Sequence, residues 1–229
     1  MKRRQKISVV IPAKNEEKTI VWIVKGSRRY SDEVIVVDGH SKDRTRQLAQ
    51  KAGAKVLVDH GRGKGDGLRV GIGKAKGDVL VFIDADGSSK PGDIPKVLRP
   101  IISGEADHVH GSRTLGGSDE LSGDWNKVAR IIGSQIITQG INWRFGVHLT
   151  DSQYGFRAIK TSVARALNLK ENITTIEQEM IIKSLHRGFR LVEVPIHEYR
   201  RKYGLSVISL RRVSWQYVLS WLRYLLFKN

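Results

Sequence analysis

Two aspartates at the end of an apolar run are the residues of this sequence best placed for chemistry. The segment Asp78–Ile83 predicts a buried strand, and Asp84 and Asp86 follow it, separated by one alanine. Ligands of open α/β sheets collect at the carboxyl ends of the strands. Two carboxylates there can hold Mg²⁺ or Mn²⁺, and the cation can hold a diphosphate. The alternative is an ordinary solvated turn, since two aspartates alone are not a specific pattern.

Other polar residues follow the first and second predicted strands. The segment Pro12-Ala13-Lys14-Asn15-Glu16 ends the first strand and opens a helix, where backbone amides can meet a nucleotide base and ribose. Asp38 ends the second strand and can accept hydrogen bonds from a base or ribose. The alternatives are a plain helix cap by Asn15 and a turn shaped by Asp38. The glycine-rich segment 61–67 contains Lys64 but is not a Walker A loop; a basic loop near a diphosphate fits it better.

Strand and helix patterns alternate along the chain and predict an α/β fold with a mostly parallel sheet flanked by helices. Gly26 and Gly53 are expected to end the first two helices, and Thr174 with Glu177 predicts a capping box. Pro195 predicts a sheet edge or the end of strand pairing. The predicted strands are Ile7–Ile11, Glu33–Asp38, Lys55–Asp59, Asp78–Ile83, one near Val109, Phe156–Lys160 and Arg190–Glu198. The predicted helices are Glu16–Lys25, Asp43–Ala52, Gly67–Lys76, one running from the capping box to about Arg187, and Leu210–Phe227.

The last of these helices divides the chain into a domain over residues 1–206 and a C-terminal amphipathic helix over residues 207–229. Its polar residues Arg212, Gln216, Ser220 and Arg223 fall on one narrow stripe, and the remainder is rich in Leu, Trp and Tyr. This composition favours a helix lying in a membrane interface. The alternative is a helix packed on the domain, and three arginines argue against a membrane span.

The composition describes a folded, strongly basic protein of 229 residues with a formal charge of +17 and no cysteine. Disulfides, thiolate metal sites and cysteine nucleophiles are thereby excluded, and no signal peptide is predicted. The charge suits nucleic acid, anionic lipid or phosphorylated ligands. Nucleic acid is not expected as a partner, because the aromatic residues concentrate near the C-terminus instead of alternating with Lys and Arg.

Taken in order, these motifs resemble the family 2 inverting glycosyltransferases with the nucleotide-diphospho-sugar (GT-A) fold. Within them the chain is similar to the polyprenyl-phosphate sugar synthases, typified by dolichol-phosphate mannose synthase, from about Ile7 to Ser206. The resemblance implies contacts to the donor nucleotide and metal, contacts to the acceptor phosphate, and late contacts to the sugar and diphosphate. The donor side comprises Pro12, Ala13, Glu16, Asp38, Lys64 and the metal ligands Asp84 and Asp86; the acceptor side comprises Arg113, Arg130 and Ser134; Asp151 and Arg201 complete the set.

The implied reaction is metal-dependent transfer of a hexose to a polyprenyl or dolichyl monophosphate, with mannose from GDP-mannose favoured. Asp151 would orient the sugar, or act as base if the acceptor were a sugar hydroxyl. Ser88 stands where mannose synthases usually carry Gln, and Val207 stands where Lys is usual. These departures leave glucose from UDP-glucose, or a soluble transferase with a non-lipid acceptor, as alternatives.

A lipid-phosphate acceptor implies a membrane surface as partner. We expect peripheral, monotopic association with the cytoplasmic leaflet through the C-terminal helix. A membrane-protein partner is the alternative means of attachment.

Overall fold

The computed structural model describes residues 3–119, 125–201, 203 and 210–227, and only the backbone for residues 125–130 and 210–214. Within these residues the strands are β1 (Ile7–Ala13), β2 (Glu33–Asp38), β3 (Lys55–Val58), β4 (Val79–Phe82), β5 (His108–Ser112), β6 (Arg157–Lys160) and β7 (Leu191–Pro195). The α-helices are α1 (Ile20–Ser27), α2 (Thr45–Lys51), α3 (Lys64–Lys74), α4 (Ile94–Ile102), α5 (Arg113–Gly116), α6 (Trp125–Phe145), α7 (Thr161–Ala166), α8 (Ile176–His186) and α9 (Leu210–Leu226).

The described strands form one sheet in the order β3-β2-β1-β4-β6-β5-β7. Strand β6 runs antiparallel to both of its neighbours, and the other pairings are parallel. The carboxyl ends of β1, β2, β4 and β5 therefore lie along the same edge of the sheet, together with the residues that lead into β6. The predicted mostly parallel α/β fold is confirmed, and β7 is an edge strand that ends at Pro195, as predicted.

Apolar side chains fill both faces of the sheet. One core packs the odd-numbered positions of β1, such as Val9 and Ile11, against α1 and α4. The other packs Val10 of the same strand against α3, α7 and α8. Alternate residues of β1 point to opposite faces, and its interior positions are apolar on both, as expected of a strand covered on both sides by helices.

The structure corrects one of the two predicted helix ends and confirms the other. Helix α1 continues through Gly26, where a Cβ atom would lie 2.8 Å from the Pro91 side chain. This glycine permits close packing and does not end the helix. Gly53 follows α2 at a φ of 93°, the left-handed conformation expected of a glycine at a helix C-terminus.

The predicted capping box is wrong, although the helix it was meant to open is present as α8. Thr175 is the N-cap and makes no side-chain capping bond. The Thr174 hydroxyl instead bonds Tyr217, and Glu177 is ion-paired with Lys64. The side chains of the local capping pattern are engaged instead in contacts with distant parts of the chain.

Helix α9 packs on the domain along one side. Tyr224 and Leu225 are buried against α6 and α8, and Ser220 is buried with them. The predicted polar stripe is therefore wrong at Ser220, while Gln216 and Arg223 are exposed; the Arg212 side chain lies outside the described residues. In the part of the chain described, no helix combines the length and apolarity that crossing a bilayer requires.

Candidate active site

The sheet brings the ends of β1 and β2 side by side. Ala13 pairs with Asp38 and Pro12 with Val37, and the Gly39 N–H donates to the Ala13 carbonyl over 2.8 Å. The predicted nucleotide-binding residues Pro12, Ala13 and Asp38 thus form one continuous backbone surface. Such a surface offers edge groups for a planar base, in the place where open α/β sheets bind nucleotides.

Asp38 lies at the bottom of this surface with its side chain buried. One carboxylate oxygen accepts the Ser41 N–H over 3.0 Å and lies 3.5 Å from Arg46 Nε. The other oxygen, Oδ1, is buried without a hydrogen-bond partner. A buried acceptor left unpaired carries a desolvation penalty, which a donor N–H or O–H on a ligand would relieve.

Glu16 lies between the nucleotide surface and the metal motif. Burial raises the pKa of its carboxyl group to about 7, and the nearby Asp86 carboxylate adds to the effect. The Thr19 hydroxyl is 3.4 Å from its Oε2 atom. Glu16 is therefore electrostatically coupled to the predicted metal ligands Asp86 and Asp84.

Asp86 is surrounded by hydrogen-bond donors. Its Oδ2 atom accepts from the Arg201 guanidinium over 2.6 Å, and its Oδ1 atom accepts from both the N–H (2.9 Å) and the hydroxyl (2.6 Å) of Ser88. Burial alone would raise its pKa, but Arg201 and Ser88 outweigh burial and lower the pKa of Asp86. The carboxylate is consequently ionised, as a metal ligand must be.

Asp84 belongs to a second ion-paired group. Lys64 Nζ lies 2.7 Å from Asp84 Oδ1 and 2.8 Å from Glu177 Oε1. Burial would lower the pKa of Lys64, but the two carboxylates outweigh it and raise the pKa of the ammonium group. Lys64 is the first residue of α3, so the predicted helix starts three residues early and the lysine is held by both carboxylates.

Gly155 leaves the space beside this group open. A Cβ atom at this position would lie 2.6 Å from Asp84 Oδ2 and 2.8 Å from Lys64 Nζ. Any other residue would displace one of these groups, since real Cβ atoms do not approach so closely. The glycine of the Asp-Ser-Gln-Tyr-Gly-Phe-Arg segment therefore keeps one oxygen of Asp84 accessible.

The carboxylates fit a divalent cation that is shared with a substrate. Among the described residues no group of three or more His, Asp or Glu side chains is arranged as a complete metal site. Mg²⁺ is usually bound through one or two carboxylates together with substrate phosphates. Asp84 and Asp86 would supply the carboxylates of such a site, and a donor diphosphate would supply the remaining oxygens.

Asp151 and Arg113 form a third ion pair, at the carboxyl end of β5. Arg113 Nε lies 2.7 Å from Asp151 Oδ2 and its terminal nitrogen 3.1 Å from Oδ1, a bidentate pair. The Glu193 carboxylate accepts the backbone N–H groups of Thr150 and Asp151, over 2.8 and 2.9 Å, and so fixes the loop. Burial would raise the pKa of Asp151, but Arg113 outweighs burial and holds the pKa well below its usual range.

The remaining predicted acceptor residues lie on α6. Ser134 is in its first half, and its carbonyl accepts from the Thr138 hydroxyl over 2.9 Å. The side chain of Arg130 and residues 202 and 204–206 of the late motif lie outside the described residues. The structure thus brings together three pairs of predicted residues, Asp86 with Arg201, Asp84 with Lys64, and Arg113 with Asp151.

The sequence model of glycosyl transferase family 2 matches residues 8–167, which is more than half of the chain. The chain belongs to this family. The match covers β1 to β6 and therefore every donor-side residue discussed above.

This family 2 transferase is similar to two archaeal proteins with curated names. It is 29% identical over 224 residues to the UDP-N-acetylglucosamine–dolichyl-phosphate N-acetylglucosaminyltransferase of Methanococcus voltae, covering 87% of the chain and 88% of the relative. It is also 29% identical over 201 residues to the dolichyl-phosphate hexose transferase of Haloferax volcanii, covering 86% and 84%.

A solved structure confirms the GT-A fold of the transferase. Glucosyl-3-phosphoglycerate synthase of Mycobacterium tuberculosis superposes with a TM-score of 0.77 at 23% identity, covering 96% of the chain and 80% of the synthase. The arrangement of strands and flanking helices is therefore shared.

Sequence reasoning missed two acidic residues of the transferase's site. Glu177 was assigned to a helix cap and instead neutralises Lys64; Glu193 was taken as an ordinary strand residue and instead holds the Asp151 loop. A signal was available for Glu193, because an acid between Val192 and Val194 breaks an apolar strand. Glu177 had no such signal, since its partner is more than a hundred residues away in the chain.

Proposed function

We propose that the chain transfers a hexose from a nucleoside diphosphate sugar to the phosphate of a polyprenyl monophosphate, with inversion at the anomeric carbon. The names of the two archaeal relatives support a dolichyl phosphate acceptor. The observation that carries the proposal is the state of Asp151, which faces the acceptor side of the site as a fully paired carboxylate.

Asp151 is a weak base in this structure. Its bidentate bond to Arg113 stabilises the ionised form, so its pKa is lowered and it has little tendency to take up a proton. A sugar hydroxyl needs a base that accepts its proton. A phosphate monoester does not, because its second pKa is about 6 and it is largely dianionic at neutral pH.

The reaction then balances without proton transfer. A phosphate oxygen attacks the anomeric carbon opposite the leaving group, and the bond from that carbon to the diphosphate oxygen breaks. The bonding electrons leave with the nucleoside diphosphate, while the acceptor changes from a dianionic monoester to a monoanionic diester. Asp151 keeps its charge and can orient sugar hydroxyls or stabilise the positive charge that develops at the anomeric carbon.

The donor side of the site has a role for each predicted residue. Pro12 and Ala13 offer backbone groups to the nucleoside, and the unpaired oxygen of Asp38 accepts one of its N–H or O–H groups. When bound at Asp84 and Asp86, Mg²⁺ or Mn²⁺ supplies positive charge to the leaving diphosphate. Arg201 and Lys64, already at this edge, add positive charge at the same place.

The acceptor side is proposed to bind the lipid phosphate through Arg113, Arg130 and Ser134. Because Arg113 is bonded to Asp151 and its Nη1 atom lies 3.5 Å from Glu198 Oε1, phosphate binding by Arg113 would be additional to both contacts. The guanidinium group has five N–H donors, so a carboxylate and a phosphate can share it.

We propose that the donor sugar is a hexose, without specifying which hexose or which nucleotide base. GDP-mannose is the prediction from the family resemblance, whereas the name of one relative specifies UDP-N-acetylglucosamine. Both guanine and uracil present a ring N–H beside a carbonyl. A carboxylate such as that of Asp38 can accept a hydrogen bond from this N–H. A panel of nucleotide sugars decides between them.

The test is product formation by mass spectrometry, with GDP-mannose, UDP-glucose and UDP-N-acetylglucosamine as donors. The acceptors are a short-chain polyprenyl phosphate, the corresponding polyprenol and a small phosphorylated acid. We expect product from the polyprenyl phosphate only, loss of product with a chelator, and loss in Asp86→Asn. Product from the small phosphorylated acid alone would instead establish a transferase with a soluble acceptor.

A further inference from the structure

The outward side of α6 carries exposed apolar residues in a helical row. Ile132, Ile136 and Trp143 are 55%, 58% and 86% exposed. They are spaced four and seven residues apart, so they lie on one side of the helix. The opposite side, which includes Ile137 and Ile141, is buried in the domain. The row is therefore apolar surface beyond what packing of α6 requires.

Helix α9 carries a similar exposed row. Trp215, Leu219, Leu222 and Leu226 are spaced by four, three and four residues, and each is between 38% and 64% exposed. The side that packs on the domain, around Tyr224, is a different one. Helix α9 thus has two apolar sides, and the second faces solvent.

Helices α6 and α9 pack against each other. A Cβ atom at Gly140 of α6 would overlap Cζ2 of Trp221 of α9, so the indole lies directly on the α6 backbone. Ile136 lies about one turn before Gly140 along α6, and Trp143 lies nearly one turn after it. The exposed row of α6 therefore extends on both sides of the contact with Trp221. We call the seven exposed residues of the two rows the α6–α9 surface.

We propose that the α6–α9 surface docks on an anionic lipid bilayer. The inference rests on the proposed function, because it concerns how the enzyme reaches a lipid acceptor. Trp is favoured at the boundary between lipid and water, and Leu and Ile enter the acyl region. Arg223 and Arg144 are exposed beside the two rows, and the chain carries a formal charge of +17. That charge complements anionic headgroups, whereas a second copy of this chain would carry the same charge.

The position of α6 connects this surface to the reacting groups. On its domain side, Gln135 donates to the Thr150 carbonyl over 3.3 Å, and the Thr138 hydroxyl lies 2.8 Å from that of Ser152. Thr150 and Ser152 flank Asp151. A helix with its side chains is about 10 Å across, so the bilayer would lie about one helix diameter from the Asp151 loop. This distance suits an acceptor whose phosphate enters the site while its chain stays in lipid.

The test is flotation of the full chain with phosphatidylcholine vesicles, with and without phosphatidylglycerol. The test variant is Ile136→Ser/Leu219→Ser. The matched control is Ile102→Ser/Val58→Ser, because Ile102 and Val58 are equally exposed (59% and 44%, against 58% and 46%) but lie on α4 and β3. All four side chains are exposed, so both variants should keep the urea midpoint of the unmodified chain.

We expect the unmodified chain and the control to float with the anionic vesicles, and added salt to weaken binding. The test variant should bind at least about tenfold more weakly, since each lost apolar side chain removes roughly a factor of ten in partitioning. Equal binding by both variants, or no binding by the unmodified chain at low salt, would overturn the proposal. So would light scattering that shows a dimer dissociated by the test variant alone, which would assign the surface to a second copy.

Transfer to a short-chain polyprenyl phosphate dissolved in detergent separates this inference from the proposed function. If docking is wrong but the function is right, transfer in detergent persists in every variant while flotation fails. If the function itself is wrong, transfer fails in the unmodified chain as well.

Discussion

The ion-paired group around Lys64 gives the sharpest quantitative prediction. One ammonium group is ion-paired with both Asp84 and Glu177, and the Glu177 side chain is only 3% exposed. The second oxygen of Glu177 is buried without a hydrogen-bond partner. Lys64 is the ion-pair partner of Glu177, and Lys64→Met, which keeps the length of the side chain but removes its charge, takes that partner away from a buried carboxylate.

Removing one partner of a buried ion pair costs about 3–5 kcal/mol of unfolding free energy. We expect about 3 kcal/mol for Lys64→Met, the lower end, because this lysine is 23% exposed and water can reach the site. In Lys64→Met/Glu177→Gln no unpaired charge remains on residue 177. The double variant should therefore recover about 2 kcal/mol relative to the sum of the two single changes.

The assay is urea unfolding followed by circular dichroism at neutral pH, without metal or nucleotide. Lys74→Met, which removes an exposed lysine from the other end of α3, controls for the loss of one positive charge. Costs of the two single variants that add within about 0.5 kcal/mol would refute the reasoning, because additivity is the behaviour of residues that do not interact.

Three further predictions concern the donor and acceptor sides of the site. Gly155→Ala should lower turnover at least about tenfold in a steady-state assay, because the new Cβ would meet Asp84 and Lys64. The control Gly133→Ala should leave turnover unchanged, because the space around its new Cβ is open. Glu16→Gln should flatten the pH dependence of the unfolding free energy between pH 4.5 and about 7. The folded-state pKa of this group is raised, so the unmodified chain loses stability as pH rises through that window, which urea titrations at several pH values would show. Arg113→Lys keeps the charge but loses the bidentate bond, so kcat should fall while the KM for the nucleotide sugar stays constant; a change in that KM alone would place Arg113 on the donor side.

Much of the fold follows from local patterns in the sequence. Strands β1, β2 and β4 are short apolar runs that end in polar residues, so both their positions and their functional ends were predictable. The order of the motifs then located Asp38, Asp84, Asp86 and Asp151. Asp38, Asp84 and Asp86 lie at one sheet edge because the carboxyl ends of parallel strands share it, and Asp151 reaches that edge because it precedes the antiparallel strand β6.

Other features depended on contacts between distant parts of the chain. Helix α4 contains Pro100 in its interior, which argues against a helix locally, yet its buried Ile94, Val97 and Ile101 pack on the sheet. Helix α6 was not predicted, since Gly133 and Gly140 weaken the local preference for helix. Its extent is explained by its packing against α8 and α9.

The pairing of charged residues was likewise invisible in the sequence. Arg113 was assigned to the acceptor phosphate from its motif, and nothing local indicates that Asp151 is its partner. Such pairs form when separate loops meet at one sheet edge, and their effect on pKa depends on burial that only the folded structure provides.

The central claim is that a phosphate oxygen of a polyprenyl phosphate, and no hydroxyl group, receives the hexose. Phosphorus-31 NMR of the reaction with a short-chain polyprenyl phosphate tests it directly. We predict that the monoester resonance, which titrates near pH 6 (about its second pKa), is replaced by a diester resonance that does not titrate there. The loss should equal the nucleoside diphosphate released. An unchanged monoester resonance while the nucleotide sugar is consumed would contradict the account.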